Sequence, residues 1–421
     1  MTTVAYIANE FPSPLEPYVS DEITELRRRG AQVICCSGKR VSLNGLSLTE
    51  RAFWEETRFF QPLSDGELIR AVRRLASDRS KLWHVLRPLL WARGASPTRR
   101  LRALGHTVMG AALAEQLAPL KVEHIHAHHG YFASWMALTA ARLLGIGFSF
   151  TLHGSDLLQR ADLLSAKLRA CLFCVTVSDF NREYILRNYP STPAGKIIVQ
   201  RLGVDRVLPW PTSTPAVDAN QRRRFCLLSV GRLHRVKDYH FLLQACAVLR
   251  DQGLDFVCWI VGEGPERPAL EKQIAAAGLR GRVYLIGHVP RADLSGYYRY
   301  ADLVVTTSKS EGIPVVLMEA MAHEKLVLAP AITGIPELVE HQRTGFLYQP
   351  GSLPDFVTAV TWIQANKDSL AGIQRAAAAS IAASYNRQRN LRAFAEEFLA
   401  RIPSSDGTHA HPILQQIRLS V

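Results

Sequence analysis

The chain predicts an α/β fold made of two doubly wound parallel-sheet domains. Short apolar runs alternate with amphipathic runs through both halves, the pattern of strands joined by crossover helices. A Pro-rich polar stretch between Gly203 and Arg222 divides the two series. The length, 421 residues, exceeds the ~250–300 residues a single core spans.

The elements follow in order. Val4–Ala8 is a short apolar strand, followed by the Pro-rich loop Phe11–Pro14. Val19, Ile23 and Leu26 fall at helical spacing, and Arg27–Arg29 with Gly30 make a helix stop. Gln32–Cys36 is the second strand. Residues 65–120 read as helical. Strands at Glu123–His128, Phe148–Leu152 and Leu172–Ser178 and a helix at Ala133–Leu144 complete the first half. The second half predicts strands at Phe225–Val230, Asp255–Val261, Arg282–Ile286, Leu303–Thr306 and Leu326–Ala329. Its helices are Tyr239–Asp251, Pro265–Ala277, Leu294–Tyr300 and Val315–His323. This gives a Rossmann-like domain over 1–205, a linker over 206–222 and a second such domain over 223–385, with a ligand cleft between the domains. Residues 386–402 form a helix packing back on the first domain, and 403–421 a tail.

The apolar fraction of 48% and charged fraction of 21% are ordinary for a globular protein and exclude bulk disorder. Net charge is +13, of which residues 1–205 carry +8 (26 basic, 18 acidic). Such a field favours anionic partners: nucleotides, nucleic acid or an anionic membrane face. Seven cysteines in mostly apolar runs read as buried thiols of a reducing compartment. Neither a signal peptide nor a run of ~18 apolar residues is present. Between Glu67 and His106 ten Arg and Lys meet two acids, with Trp83, Leu86, Leu89, Leu90 and Trp91 interleaved. That stretch has two readings, a membrane-facing surface and a solvated helical face.

The sharpest chemical signal is Glu311–Ala322, with Glu311 in a loop, Gly312 and Pro314 at a helix start, and Glu319 inside the helix. A helix N-terminus there suits a diphosphate, and the two carboxylates would accept hydroxyls at different places along an extended ligand. Glu319 also reads as an acid complementing the helix dipole. Val230-Gly231-Arg232-Leu233-His234-Arg235-Val236-Lys237 lies between a strand and a helix, so Arg232 and Lys237 can converge on one phosphate pair. Gly262-Glu263-Gly264-Pro265 is compatible with a plain turn or with a nucleoside contact. In the first half, His124, His126 and His128 share one strand face, but no acid or cysteine is paired with them in sequence, so no metal is expected. His153-Gly154-Ser155-Asp156 ends the next strand at a cleft edge.

Together these motifs resemble the family 4 glycosyltransferases, retaining enzymes of the GT-B architecture. Thr333–Val339 and Thr344–Leu347 resemble the same family's C-terminal domain. Phe11-Pro12, Val19–Gly30 and the His153 segment resemble its bacterial colanic-acid and exopolysaccharide branch. The resemblance implies that Arg232 and Lys237 neutralise a diphosphate leaving group and that Glu311 meets the donor sugar and Glu319 the ribose. Gly231, Gly262, Glu263, Gly312, Ile313, Pro314 and Val315 would line the donor. His153 would stand beside the reacting sugar, with Asp156 and His128 on the acceptor side. No cofactor or metal is implied: the co-substrate is a nucleoside-diphosphate sugar, and the acceptor a saccharide or polyprenyl-diphosphate-linked glycan. The implied place is the cytoplasm, peripheral on the inner face of the plasma membrane, without nucleic acid. Pro12–Glu16 replaces the Gly-Gly loop many relatives carry after the first strand, and Ala322–Lys325 replaces their glycine after the second glutamate. Two rivals remain: another GT-B enzyme on a nucleotide sugar, such as an epimerase, and a basic nucleic-acid-binding protein, for which no binding motif is present.

Overall fold

The computed structural model describes every residue except Leu15, Asn44, Asp78, 91–96, 159–162, 206–223 and 404–421. The expected linker and almost all of the expected tail therefore lie outside the described residues. The chain forms two units. One comprises residues 1–177, 181–200 and 391 onward; the other comprises 178–180 and 201–390.

The first unit holds a seven-stranded parallel sheet: β1 (Thr3–Glu10), β2 (Gln32–Lys39), β3 (Arg58–Phe59), β4 (His124–His128), β5 (Gly147–Leu152), β6 (Phe173–Thr176) and β7 (Ile197–Val199). Their order is β3-β2-β1-β4-β5-β6-β7, so the winding reverses between β1 and β4. The core strands are buried on both faces, which is why β1 reads as one continuous apolar run. On one face, Val4, Tyr6 and Ala8 pack with Val19, Ile23 and Leu26 of helix Pro17–Arg28. Phe394 and Phe398 of helix Arg387–Arg401 join that same cluster. On the other, Ala5, Ile7, Ile125 and Ala127 pack with Trp135 and Met136 of helix Phe132–Leu144 and with helix Pro97–Leu117.

The second unit repeats the plan with six parallel strands: β8 (Phe225–Val230), β9 (Phe256–Val261), β10 (Val283–Gly287), β11 (Leu303–Val305), β12 (Leu326–Pro330) and β13 (Phe346–Tyr348). The order is β10-β9-β8-β11-β12-β13, with its reversal between β8 and β11. Helix Tyr239–Asp251 covers one face, and helices Leu294–Tyr300 and Val315–Ala322 the other. The α/β, doubly wound class expected from the sequence is thus the observed one. Among the described residues no helix is long and apolar enough to cross a membrane.

Three strands were not expected: β3, β7 and β13, of two or three residues each. All seven cysteines are buried free thiols. Cys171 lies ahead of β6 and Cys174 within it.

Candidate functional site

In an open α/β sheet, ligands bind beyond the carboxyl ends of the strands where the winding reverses. In the second unit that place is the end of β8 and β11. After β8 the chain turns through Gly231 and Arg232 into a short 3-10 turn, Arg235–Lys237. Leu233 N–H donates to the Glu263 carbonyl at 2.9 Å, and Glu266 N–H donates back to Leu233 at 3.1 Å. Lys309 N–H donates to the Val236 carbonyl at 2.8 Å, and the Thr307 hydroxyl to the Lys237 carbonyl at 2.8 Å. The loop after β8 is therefore tied to the loop after β9 on one side and to the loop after β11 on the other.

This lacing brings Lys237 and Glu311 together, Nζ to Oε1 at 2.5 Å, although 74 residues separate them. The Thr333 hydroxyl holds the Glu311 carbonyl at 2.6 Å. Arg232 is exposed and makes no hydrogen bond or ion pair among the described residues. Helix Val315–Ala322 starts directly after, with Pro314 at its N-cap. The backbone N–H groups of Gly312, Ile313, Val315 and Val316 make no hydrogen bond among the described residues. Four free donors, a helix N-terminus, a free guanidinium and a lysine form a ready anion cradle. The side chains of Ile313 and Pro314 are buried, so those residues can offer a ligand only backbone.

Glu319 lies one helical turn deeper and is 4% exposed. Its two oxygens accept from Arg291 Nε at 3.1 Å and from the Tyr298 hydroxyl at 3.0 Å. The dipole reading of Glu319 gives way to this pair of specific contacts. Arg291 was not singled out in the sequence, where it is one of 50 basic residues in an unremarked turn. Gly262 stands for close approach: a Cβ there would lie 2.1 Å from the Gly231 carbonyl oxygen. Glu263 pairs with Arg267 at 2.8 Å. The Gly262-Glu263 turn thus has a structural role in setting the β8 loop.

The first unit's reversal point, at the ends of β1 and β4, is built differently. His128 is fully buried; its Nε2 lies 2.8 Å from Glu22 Oε2 and 3.1 Å from the Tyr6 hydroxyl, which itself donates to Glu22. His128 Nδ1 lies 3.1 Å from His153 Nε2. The expectation that no acid partners these histidines is corrected: Glu22, from helix Pro17–Arg28, reaches them across the sheet end. Glu22, His126 and His128 bring ligand atoms within 4.8 Å of one another. Both nitrogens of His126 are nonetheless engaged, by the Ser149 hydroxyl at 2.8 Å and the Thr151 hydroxyl at 3.0 Å. The cluster is a hydrogen-bonded network, and burial holds His126 and His124 well below their usual range, the latter to about 3.

Asp156 is also fully buried. Its carboxylate accepts from the N–H groups of Gly130 at 2.8 Å, His153 at 3.0 Å and Gly154 at 2.9 Å. Asp156 and His128, the residues expected on the acceptor side, are both buried, and both hold the His153 segment in place. Burial would raise Asp156, but His129, 3.6 Å away, outweighs it and depresses its pKa. His129 answers with the opposite shift: burial opposes its charge, yet Asp156 and Glu16 raise it to about 10. His153 itself is part-exposed, and burial with the neighbouring His129 and His128 holds it well below its usual value, as a neutral imidazole.

Comparison with known proteins places the chain among glycosyltransferases. Residues 15–207 match the family described as Glycosyltransferase Family 4, and residues 214–380 the glycosyl transferases group 1 domain. The chain is 27% identical to the putative colanic acid biosynthesis glycosyltransferase WcaL of Escherichia coli, over 91% of this chain and 96% of that one. It is 32% identical to the amylovoran biosynthesis glycosyltransferase AmsK of Erwinia amylovora, over 48% of this chain and 51% of the other. In fold it is similar to Anabaena HepE crystallised with UDP-glucose (TM-score 0.70, 19% identity, 95% of this chain and all of that one). Sucrose-phosphate synthase of Thermosynechococcus elongatus is similar too (TM-score 0.73, 18% identity, 95% and 99%). Two adjoining domain matches over both doubly wound units show that the chain belongs to the family 4 glycosyltransferases of GT-B fold.

Proposed function

We propose that this glycosyltransferase moves a hexose from a nucleoside-diphosphate sugar to a growing lipid-linked saccharide of an exopolysaccharide, retaining the anomeric configuration. The observation that carries the donor is the cradle at β8 and β11, where Lys237, free Arg232 and four unpaired N–H groups meet Glu311. Positive groups placed before the reaction stabilise charge as it develops on the departing diphosphate. The bond from the anomeric carbon to the diphosphate oxygen breaks, the acceptor oxygen bonds that carbon, and the acceptor's hydroxyl proton leaves with the diphosphate. Glu311, once the diphosphate takes Lys237, is released to accept the sugar's hydroxyls. Glu319 accepts the ribose diol, and His153 stands beside the reacting sugar. The names of WcaL and AmsK favour an exopolysaccharide, and HepE's UDP-glucose complex favours a nucleotide sugar.

No divalent ion is needed in this reading, because arginine, lysine and a helix terminus supply the positive charge. A donor screen across UDP-, GDP- and ADP-sugars tests it, with product configuration read by NMR. Hydrolysis or transfer of one donor, with retention and undiminished by EDTA, is expected. Inversion, or loss with chelator and recovery with Mn²⁺, contradicts it.

The lipid-linked acceptor and the cytoplasmic membrane face rest on the first unit's surface. Leu68, Ile69, Val72, Trp83, Leu101 and Leu104 are all exposed, Leu101 by 70%. Exposed Arg70, Arg73 and Arg102 stand among them. Arg74 is tied to Glu115 at 3.2 Å and is set aside. Apolar side chains with cations between them suit an anionic bilayer surface. Reversing Arg70, Arg73 and Arg102 to Glu removes ~1 kcal/mol each near such a surface, so sedimentation with anionic vesicles should fall sharply. Equal sedimentation by wild type and variant leaves the solvated-face reading.

A further inference from the structure

The Glu22–His128–His153 chain has a chemical direction. Glu22 is 4% exposed in helix Pro17–Arg28, a carboxylate in the interior. Its Oε2 receives the Tyr6 hydroxyl proton. Burial and the Glu22 charge raise Tyr6 well above the usual phenol range, so Tyr6 is a neutral donor. The same oxygen lies 2.8 Å from His128 Nε2, and a carboxylate there requires a proton on that nitrogen. With Nε2 protonated, a neutral His128 has a bare Nδ1, which faces His153 Nε2 at 3.1 Å. Only one proton fits between those two nitrogens, and it must then belong to His153.

A doubly protonated His128 would reverse the order, so the tautomer of His153 reports on both rings. His128 is fully buried, and the His129 imidazolium, held by Glu16 at 2.9 Å and Asp156 at 3.6 Å, lies 6.3 Å away centroid to centroid. Glu22, the one anion bonded to His128, already shares its oxygen with Tyr6. Burial holds His124 and His126, the other histidines on this strand face, below their usual range, as neutral rings. Tyr18, whose ring lies 4.7 Å from that of His153, is a neutral phenol as well. The His153 backbone is fixed by Asp156 at 3.0 Å, and its ring packs against those of Tyr18 and His129, each 4.7 Å away centroid to centroid.

We infer that Glu22, acting through His128, holds His153 as the tautomer protonated on Nε2, which leaves Nδ1 as a bare hydrogen-bond acceptor for a substrate hydroxyl. His153 Nδ1 has no partner among the described residues. Glu22 and His128 are positioning residues that touch no substrate: their part is to fix which ring nitrogen of His153 keeps the lone pair. The substrate group is a sugar hydroxyl, of donor or acceptor, which donates to that nitrogen. The role of Nδ1 rests on the proposed placement of His153 beside the reacting sugar; the tautomer does not.

Nitrogen-15 NMR of histidine-labelled protein tests it, with His153 assigned from the spectrum of His153→Gln. In wild type the proton is expected on His153 Nε2, with a bare Nδ1. Glu22→Met keeps the volume and removes the acceptor. The Tyr6 hydroxyl then donates to His128 Nε2, 3.1 Å away, the His128 proton moves to Nδ1, and the His153 proton moves to its own Nδ1. Tyr6→Phe leaves the Glu22–His128 bond and should leave the His153 tautomer unchanged. A wild-type His153 protonated on Nδ1, or one tautomer shared by wild type and Glu22→Met, overturns the inference. The wild-type and Tyr6→Phe spectra decide even if Glu22→Met does not fold. In activity, Glu22→Met should lower kcat by about 10- to 100-fold, the effect of losing a partner that orients a histidine, while KM for the donor stays put. If the tautomer reverses and turnover does not change, the relay stands and the placement of His153 at the chemistry falls.

Discussion

The two units share one strand order and spend their reversal points in opposite ways. Between β1 and β4 the first unit buries Glu22, His128, Asp156 and Tyr6, and each finds its partner inside the protein. Between β8 and β11 the second unit leaves Arg232 and four backbone donors without partners among the described residues, and Lys237 with a single carboxylate among them. Buried polar groups stabilise only when satisfied, whereas a ligand site needs groups that await one. The same topology therefore gives an internally satisfied support for His153 in one unit and an anion cradle in the other.

The largest effect should come from the cradle. Arg232→Ala removes the free guanidinium and should lower turnover by ~10²-fold or more, as loss of one preorganised charge donor does. Lys237→Ala should act similarly and also release Glu311. Neither is expected to cost much stability, since Arg232 bonds to nothing among the described residues and the Lys237 pair is part-exposed. Near-normal kcat in both, with unchanged melting, would remove the diphosphate from this site.

The two glutamates sharpen the picture within the cradle. Glu311→Gln weakens a contact made with the sugar and should chiefly depress kcat. Glu319→Gln replaces a carboxylate held by Arg291 and Tyr298, and should chiefly raise the Kd for the free nucleoside diphosphate. Donor kinetics with calorimetric titration of both variants separates them. Loss of nucleotide binding in Glu311→Gln, with normal binding in Glu319→Gln, would exchange the two roles.

These two regions also differ in how far the sequence reveals them. Arg232 and Lys237 lie five residues apart in one strand-to-helix turn, and Glu311 and Glu319 in one loop and helix, so local spacing exposes their chemistry. Glu22 meets His128 across 106 residues, and no local pattern joins them. Asp156 likewise looks like a loop acid until its three backbone donors are seen. The long strands were legible because they are continuous apolar runs. β3, with two residues, and β13, with three, are too short to show a period and are specified by their neighbours. Arg291 is found only through its contact with Glu319.

A smaller, steric difference follows from the glycines near each site. A Cβ on Gly334 would lie 2.4 Å from the Gly312 carbonyl oxygen, rigid backbone beside Glu311. A Cβ on Gly130 would meet Leu152 Cδ2 at 2.5 Å, the end of a side chain that can turn. Gly334→Ala should therefore destabilise by about 1–3 kcal/mol and weaken donor binding, while Gly130→Ala costs less. Urea unfolding of both compares them; a larger loss at Gly130 would mean Leu152 has no room to move.

The smallest effect is a dependence on pH confined to the first unit. His129 is raised to about 10 in the fold against an ordinary 6.5, so its contribution to stability is fully present below about 6.5 and is lost as pH rises through 10. Asp156 is depressed below its ordinary 3.8, so its contribution is present above that value and is lost as pH falls through the folded-state value. Between these limits the imidazolium and the carboxylate hold one another, and stability should be level on their account. His129→Gln removes the imidazolium but keeps a side chain that can bond Glu16 or Asp156. Wild type minus His129→Gln, measured by urea unfolding from pH 6 to pH 10, should show a stability difference that shrinks steadily toward the alkaline end. Other groups titrating near pH 10 are common to both proteins and cancel in that difference. A difference constant across the range would mean that His129 is not charged in the fold.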